Sequence, residues 1–211
     1  MKTEAERLED TKKIYDANYD EYHKNTLWSD MSSNYQLFEK YLNWKKILDV
    51  WCGSWRDIKY FKSIWLNPFW IDVSQWQLSM ATNYIDSSSL ICDDATKIEK
   101  LYDYWSFDWI RCQASLVHMS KDQWVKVLDW ISKILKKSWV LALWLKLNID
   151  WIEEKIKPSF STPWIDKRYV FWSEEEMRNE LEKRGFVVNN ILKTLYVWKD
   201  SWISMYAILN K

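Results

Sequence analysis

The chain has 211 residues, with 30 basic and 30 acidic side chains and a formal net charge of zero. That length suits one α/β domain with enough chain to bury a core. The charge balance removes the long-range pull that non-specific nucleic-acid binders use, and no apolar run reaches the ~18 residues of a membrane span.

The N-terminus, MKTEAERLEDTKK, is charged and lacks the apolar segment of a secretory signal, so a cytoplasmic protein is expected. Residues 3 to 25 intersperse Ile14, Tyr15, Tyr19 and Tyr22 among charges and predict an amphipathic leading helix. A second helix, about 33 to 43, presents Tyr35, Leu37, Phe38, Tyr41 and Leu42. KKILDVWC (45 to 52) is a short apolar run ending in a turn, as in a buried parallel strand, and a helix follows through Ile58, Tyr60 and Phe61. NPFWIDV (67 to 73) predicts the second strand and SQWQLSMATNYI a helix capped by Ser74. Strands three to five are SLICDDA (89 to 95), FDWIRCQAS (107 to 115) and WVLALWLKL (139 to 147), with the helix KDQWVKVLDWISKILKK between the last two. Residues 146 to 169 form the most irregular stretch. SEEEMRNELEKRGF then predicts a helix with N-cap Ser173, capping-box Glu176 and terminal Gly185. Strands at about 186 to 197 and 201 to 209 close the chain as a hairpin. The strand–helix alternation predicts a doubly wound, largely parallel sheet.

Cys52, Cys92 and Cys112 are odd in number and lack CxxC spacing, so they read as reduced thiols, without a disulfide frame or a metal site. The chain also holds 18 tryptophans and only two glycines. Many of the tryptophans fall where a backbone needs glycine, as in ILDVWCGSWRD, SIWLNPFWID and KKSWVLAL. With Trp read as Gly these become ILDVGCGSGRD, SIGLNPFGID and KKSGVLAL. UGA codons meaning glycine, translated as tryptophan, produce this pattern. The positions so read are Trp44, Trp51, Trp55, Trp65, Trp70, Trp76, Trp105, Trp109, Trp124, Trp130, Trp139, Trp144, Trp151, Trp164 and Trp198; Trp172 and Trp202 read as genuine, and Trp28 is left undecided. The correction yields 17 glycines, about 8%, near the usual level. The rival reading is an aromatic-rich interaction protein.

The first glycine turn, Asp72 after strand two, Asp94 after strand three and Ser115-Leu116-Val117-His118-Met119 after strand four together resemble the class I S-adenosylmethionine-dependent methyltransferases. The resemblance runs from about residue 14 to the end and is nearest to small bacterial methyltransferase-domain proteins. It implies a Rossmann-like, three-layer α/β/α fold with a seven-stranded sheet of order 3-2-1-4-5-7-6, strand seven antiparallel. It divides the single domain into a helical lid (1 to 43), a cofactor-binding core (44 to 147) and an acceptor-side segment with the hairpin (148 to 211). An NAD-binding Rossmann domain would need GxGxxG, whereas the corrected turn reads G-C-G-S-G-R.

The resemblance implies S-adenosyl-L-methionine as cofactor. The turn Trp51 (read as Gly), Cys52, Gly53, Ser54 and Trp55 (read as Gly) would hold the methionine carboxylate on backbone N–H groups and a helix N-terminus. Asp49 would work near the amino end, Asp72 would accept from two ribose hydroxyls, and Asp94, or its neighbour Asp93, would meet the adenine amine. Val73 and Ala95 would pack on the adenine, and Ser115 would border the site. His118 is either a general base or a pocket-shaping residue bonded to backbone. Lys146, Arg168 and Tyr169 match an acceptor-side pattern. Arg168 either binds an anionic acceptor by a bidentate contact or pairs with nearby carboxylates. Tyr15, Tyr19 and Tyr22 either form a lid or pack their helix on the sheet. The expected partner is a small-molecule methyl acceptor, not nucleic acid or membrane.

Overall fold

A computed structural model describes residues 2–26, 30–42, 46–51, 53, 56–66, 68–149, 151–158, 163–194 and 200–210. Three helices lead: α1 (Glu4–Ala17), α2 (Tyr19–Thr26) and α3 (Ser32–Tyr41). The alternating part holds β1 (Ile47–Val50), α4 (Arg56–Ser63), β2 (Phe69–Asp72), α5 (Gln75–Ala81), β3 (Leu90–Cys92), β4 (Phe107–Gln113), α6 (Lys121–Ile134) and β5 (Leu135–Lys146). β6 (Glu154–Pro158), β7 (Asp166–Val170), α7 (Glu174–Lys183), β8 (Phe186–Thr194) and β9 (Trp202–Leu209) complete the chain.

Seven strands form one sheet of order β3-β2-β1-β4-β5-β9-β8, parallel from β3 to β5, with β9 antiparallel to both of its neighbours. This is the order and orientation expected from the sequence. Each strand contributes to both faces because its side chains alternate. Leu48, Val50, Ile110 and Cys112 face α6 and α7, where Trp124, Val127, Leu128, Ile131, Met177 and Leu181 are buried. Ile47, Trp70 and Trp109 face α3 and α4, where Phe38, Ile58 and Phe61 are buried. No helix among the described residues is long and apolar enough to cross a membrane.

The caps follow the sequence. Ser74 Oγ accepts from the Gln77 N–H, and Ser173 with Glu176 forms a full capping box on α7. Gly185, with φ 83°, ends α7. Residues 195–199 of the connection between β8 and β9 lie outside the described residues.

Two stretches differ from expectation. The leading helix is interrupted at Asn18, whose side-chain amide donates to the Ile14 carbonyl at 2.8 Å and so takes up a carbonyl that a continuing helix would bond. The stretch expected to be irregular contains a separate antiparallel ribbon, β6 with β7, in which Ile156 pairs with Arg168 and Lys155 with Tyr169. Its alternation is hidden in the sequence because the inward positions of β7 include a lysine.

Six described non-glycine residues take positive φ, and four are tryptophans read as glycine: Trp51 (53°), Trp65 (63°), Trp105 (53°) and Trp151 (57°). A Cβ in this region costs ~1–2 kcal/mol, which glycine avoids. Trp65 and Trp151 are 88% and 96% exposed, so their indoles gain little burial in return. Trp124 behaves differently. It lies inside α6, fully buried, and its Nε1 donates to the Leu116 carbonyl at 2.8 Å. Glycine there would cost helix propensity of ~1 kcal/mol.

Candidate functional site

The C-terminal ends of β1, β2 and β4 meet beneath α1 and α2. Asp72 ends β2 with its carboxylate aimed across to the β1 turn: Oδ2 accepts from the Gly53 N–H at 2.8 Å and Oδ1 from the Ser74 N–H at 2.9 Å. Burial pushes Asp72 up to about 6, against the backbone N–H groups of Ser74, Gly53 and Val73 that favour its ionised form. Gly53 has φ 61°, and a Cβ added there would stand 3.8 Å from the Tyr22 ring of α2, so a helix already covers the turn. Trp51 is buried in the core, and its indole Nε1 has no partner among the described residues. Cys52, Ser54 and Trp55 lie outside the described residues.

Asp94 caps the 3-10 turn Ala95–Lys100, accepting from the Thr96 N–H at 2.9 Å and the Thr96 hydroxyl at 2.7 Å. Asp93 accepts from Lys97 at 3.0 Å. Ala95 is fully buried and Val73 packs against the same core. Ser115 follows β4, with its hydroxyl buried and without a hydrogen-bond partner among the described residues.

Asp49 has a partner that sequence reasoning missed. It lies opposite Arg111 in the β1–β4 register, and Arg111 Nη1 donates to Asp49 Oδ2 at 2.5 Å. Arg111 Nη2 reaches Asp57 Oδ2 at 2.9 Å, Arg56 Nε reaches Asp57 Oδ1 at 2.8 Å, and the Tyr35 hydroxyl donates to Asp57 Oδ1 at 2.5 Å. Burial pushes Asp49 up to about 6 despite Arg111. At Asp57 burial also opposes the charge, but Arg111 and Arg56 outweigh it and hold the carboxyl far below the usual range. The network ties β1 and β4 to α3 and α4 on the face away from α6. An arginine one strand over from an acidic strand end is the only sequence signal for it.

After β4, His118 is buried between α1 and the ribbon. Its Nδ1 lies 2.5 Å from the Arg168 carbonyl, an acceptor only, so Nδ1 carries the proton. Nε2 is then the acceptor for the Tyr15 hydroxyl at 2.9 Å. Burial pushes the imidazole down to about 3, so it stays neutral. A general base needs a basic nitrogen facing an acceptor; this ring has low basicity and faces Tyr15.

The acceptor-side residues converge only in part. Tyr169 is buried with Val117 and Phe171, its ring centroid 4.9 Å from that of His118. Lys146 pairs with Asp200, which also takes Lys157, and lies over the rings of Tyr169 and Trp202. Arg168 Nη1 bonds Glu4 at 3.1 Å and Nη2 bonds Glu154 at 2.7 Å, joining α1 to the ribbon. Of the alternatives open for Arg168, pairing with carboxylates is the arrangement present. Tyr19 stacks on Trp76 with centroids 5.7 Å apart.

No protein-family model matches the chain, and no curated protein matches it. Solved structures do. A 1,6-didemethyltoxoflavin-N1-methyltransferase from Burkholderia thailandensis, solved with 1,6-didemethyltoxoflavin and S-adenosylhomocysteine, aligns over 100% of this chain and 92% of its own, with 13% identity and TM-score 0.74. An S-adenosylmethionine-dependent methyltransferase from Methanosarcina mazei aligns over 82% and 97%, with 15% identity and TM-score 0.70. The [4+2]-cyclase SpnF aligns over 95% and 96%, with 14% identity and TM-score 0.69. The fold is therefore the Rossmann-like fold of the class I methyltransferases.

Proposed function

We propose that the chain is an S-adenosylmethionine-dependent methyltransferase acting on a small-molecule acceptor as a single domain. The observation that carries this reading is Asp72, a buried carboxylate at the end of β2 that bonds the β1 turn through the Gly53 N–H. Each carboxylate oxygen keeps a second lone pair for a ribose hydroxyl. The buried Ser115 hydroxyl, without a partner among the described residues, supplies a further polar group. These residues fit the cofactor's nucleoside, with Asp94 toward the adenine amine and Val73 and Ala95 packing beside the ring.

S-adenosylmethionine supplies an electrophilic methyl group for in-line transfer to a nucleophile. The protein's own share is alignment and water exclusion, which suffice when the nucleophile is already deprotonated. Tyr15 and Tyr22 close the site from α1 and α2. His118 holds Tyr15 in place; its depressed basicity favours this role over proton removal. Asp49 acts through Arg111 by fixing the end of β1. The zero net charge and the toxoflavin methyltransferase neighbour favour a small acceptor over nucleic acid.

The decoding reading belongs to the same proposal. Positive φ at Trp51, Trp65, Trp105 and Trp151 supports glycine at those positions. The nucleotide sequence tests it: UGA at the suspect codons supports glycine, and UGG throughout sinks it.

A second reading, a cofactor-binding relative that transfers no methyl group, is favoured by the cyclase among the neighbours of the same fold. Incubating the glycine-decoded chain with labelled S-adenosylmethionine and a panel of small acceptors separates the two. Labelled product with stoichiometric S-adenosylhomocysteine supports transfer. Tight cofactor binding with no labelled product across the panel supports the second reading.

A further inference from the structure

Lys167 was not singled out by the sequence, yet its placement is the least explained in the molecule. It lies on β7, whose outward side chains are Asp166 and Arg168 and whose inward ones are Lys167 and Tyr169. Only 4% of it is exposed. Its ammonium sits 4.3 Å from the Tyr15 ring centroid and 5.5 Å from that of Tyr22, and it has no hydrogen bond or ion pair to any described residue. Of the carboxylates near this region, Glu4 and Glu154 bond Arg168, Asp10 bonds Lys2, Asp16 bonds Lys12 and Ser74, and Asp72 bonds Gly53 and Ser74, while Asp166 is exposed on the outer side of β7. Aromatic faces attract a cation but supply no countercharge, and a buried charge is normally paired.

The side chain borders a cavity of about 410 Å³ between α1 and the β6–β7 ribbon, within the size range of small-molecule sites. Lys2, Arg7, Lys13 and Arg168 line it too, against only Asp10 and Asp166 among the acidic residues, so an anion is favoured there. Tyr15 belongs to this wall and also bonds His118, which places the cavity beside the strand ends.

We infer that Lys167 is the anchor for the negative charge of a small, flat organic anion, a carboxylate or phenolate, seated against the Tyr15 ring. Resting on the methyltransferase reading, this assigns the acceptor to the anionic class. The desolvation that leaves Lys167 readier to lose its proton, down to about 8, is the cost that an incoming anion would offset.

Calorimetry on the full-length, glycine-decoded chain tests the inference with benzoate, its neutral isostere benzamide, and S-adenosylhomocysteine. Benzoate should bind at least tenfold more tightly than benzamide. That preference should vanish in Lys167→Met and survive in Lys167→Arg. S-adenosylhomocysteine should bind all three proteins alike, so loss of its binding would count against the cofactor reading and leave the anion result to be judged separately. Equal affinity for benzoate and benzamide in the parent chain, or a preference unchanged in Lys167→Met, would overturn the assignment. Circular dichroism of each variant establishes that it is folded.

Discussion

The hydroxyl of Tyr15 and the Nε2 of His118 lie 2.9 Å apart although 103 residues separate them in the chain. The bond fastens α1 over the end of β4. It also fixes the imidazole, because the other ring nitrogen is committed to the Arg168 carbonyl. The ring is a strut between α1, the end of β4 and the ribbon, and its chemistry follows from that.

The first prediction concerns this strut. A general base removed by His118→Gln would cost roughly 10²–10⁴ in turnover. A positioning residue would cost less than about tenfold, since the amide can keep one of the two bonds. Steady-state kinetics of the glycine-decoded enzyme should give the smaller loss. A drop of a thousandfold in kcat with cofactor affinity unchanged would restore the base role.

The same ring sets a pH dependence of stability. The unfolded chain takes up a proton at His118 near the ordinary 6.5, while the folded protein resists it down to about 3. The unfolded state therefore binds more protons in this window, and stability present above 6.5 is lost as the pH falls toward 3. Tm should drop between pH 7 and pH 5, and the drop should be smaller in His118→Gln. Parallel melting curves for the two proteins would show that His118 is not a source of the loss.

The buried network at Asp49 gives a third expectation. Arg111→Met removes the cation shared by Asp49 and Asp57 and leaves two buried carboxylates short of countercharge. Breaking one partner of a buried ion pair costs about 3–5 kcal/mol. Urea denaturation should register a loss of that order, and a change below about 1 kcal/mol would mean that Arg56 alone neutralises the site.

Much of this was legible in the sequence, for local reasons. The strand–helix alternation, the closing hairpin and the caps at Ser74 and Ser173 each depend on neighbouring residues. Positive φ at Trp51 and Trp65, after β1 and α4, is likewise a local feature that suits glycine, and the codons decide which residue stands there. The partners of the site residues were not legible, because register decides them. Arg111 meets Asp49 only once β4 lies beside β1. Lys167 turns inward only once β7 pairs with β6, and a lysine there reads in the sequence as a solvated residue. Arg168 could be narrowed to two alternatives, but Glu4 is 164 residues away and no spacing predicts that contact.

Cofactor grip yields a fourth prediction. Asp72→Ala in the glycine-decoded chain removes an acceptor of hydrogen bonds to a charged group, about 1.5–3 kcal/mol, or about tenfold to a hundredfold in affinity. Because burial raises Asp72 to about 6, affinity in the parent chain should also weaken as the pH falls through that value and the carboxylate protonates. An unchanged dissociation constant in the variant would mean that another carboxylate holds the ribose.

The most direct test of the whole account is calorimetric titration of S-adenosylmethionine into two versions of the full chain, one as written and one with glycine at the fifteen positions read as glycine. The glycine form should bind the cofactor. The written form should bind it poorly, because Trp51 holds a positive φ of 53° in the turn that must approach the cofactor, a backbone conformation that suits glycine. No heat of binding in the glycine form would contradict the cofactor assignment, and equal affinity in both forms would contradict the decoding.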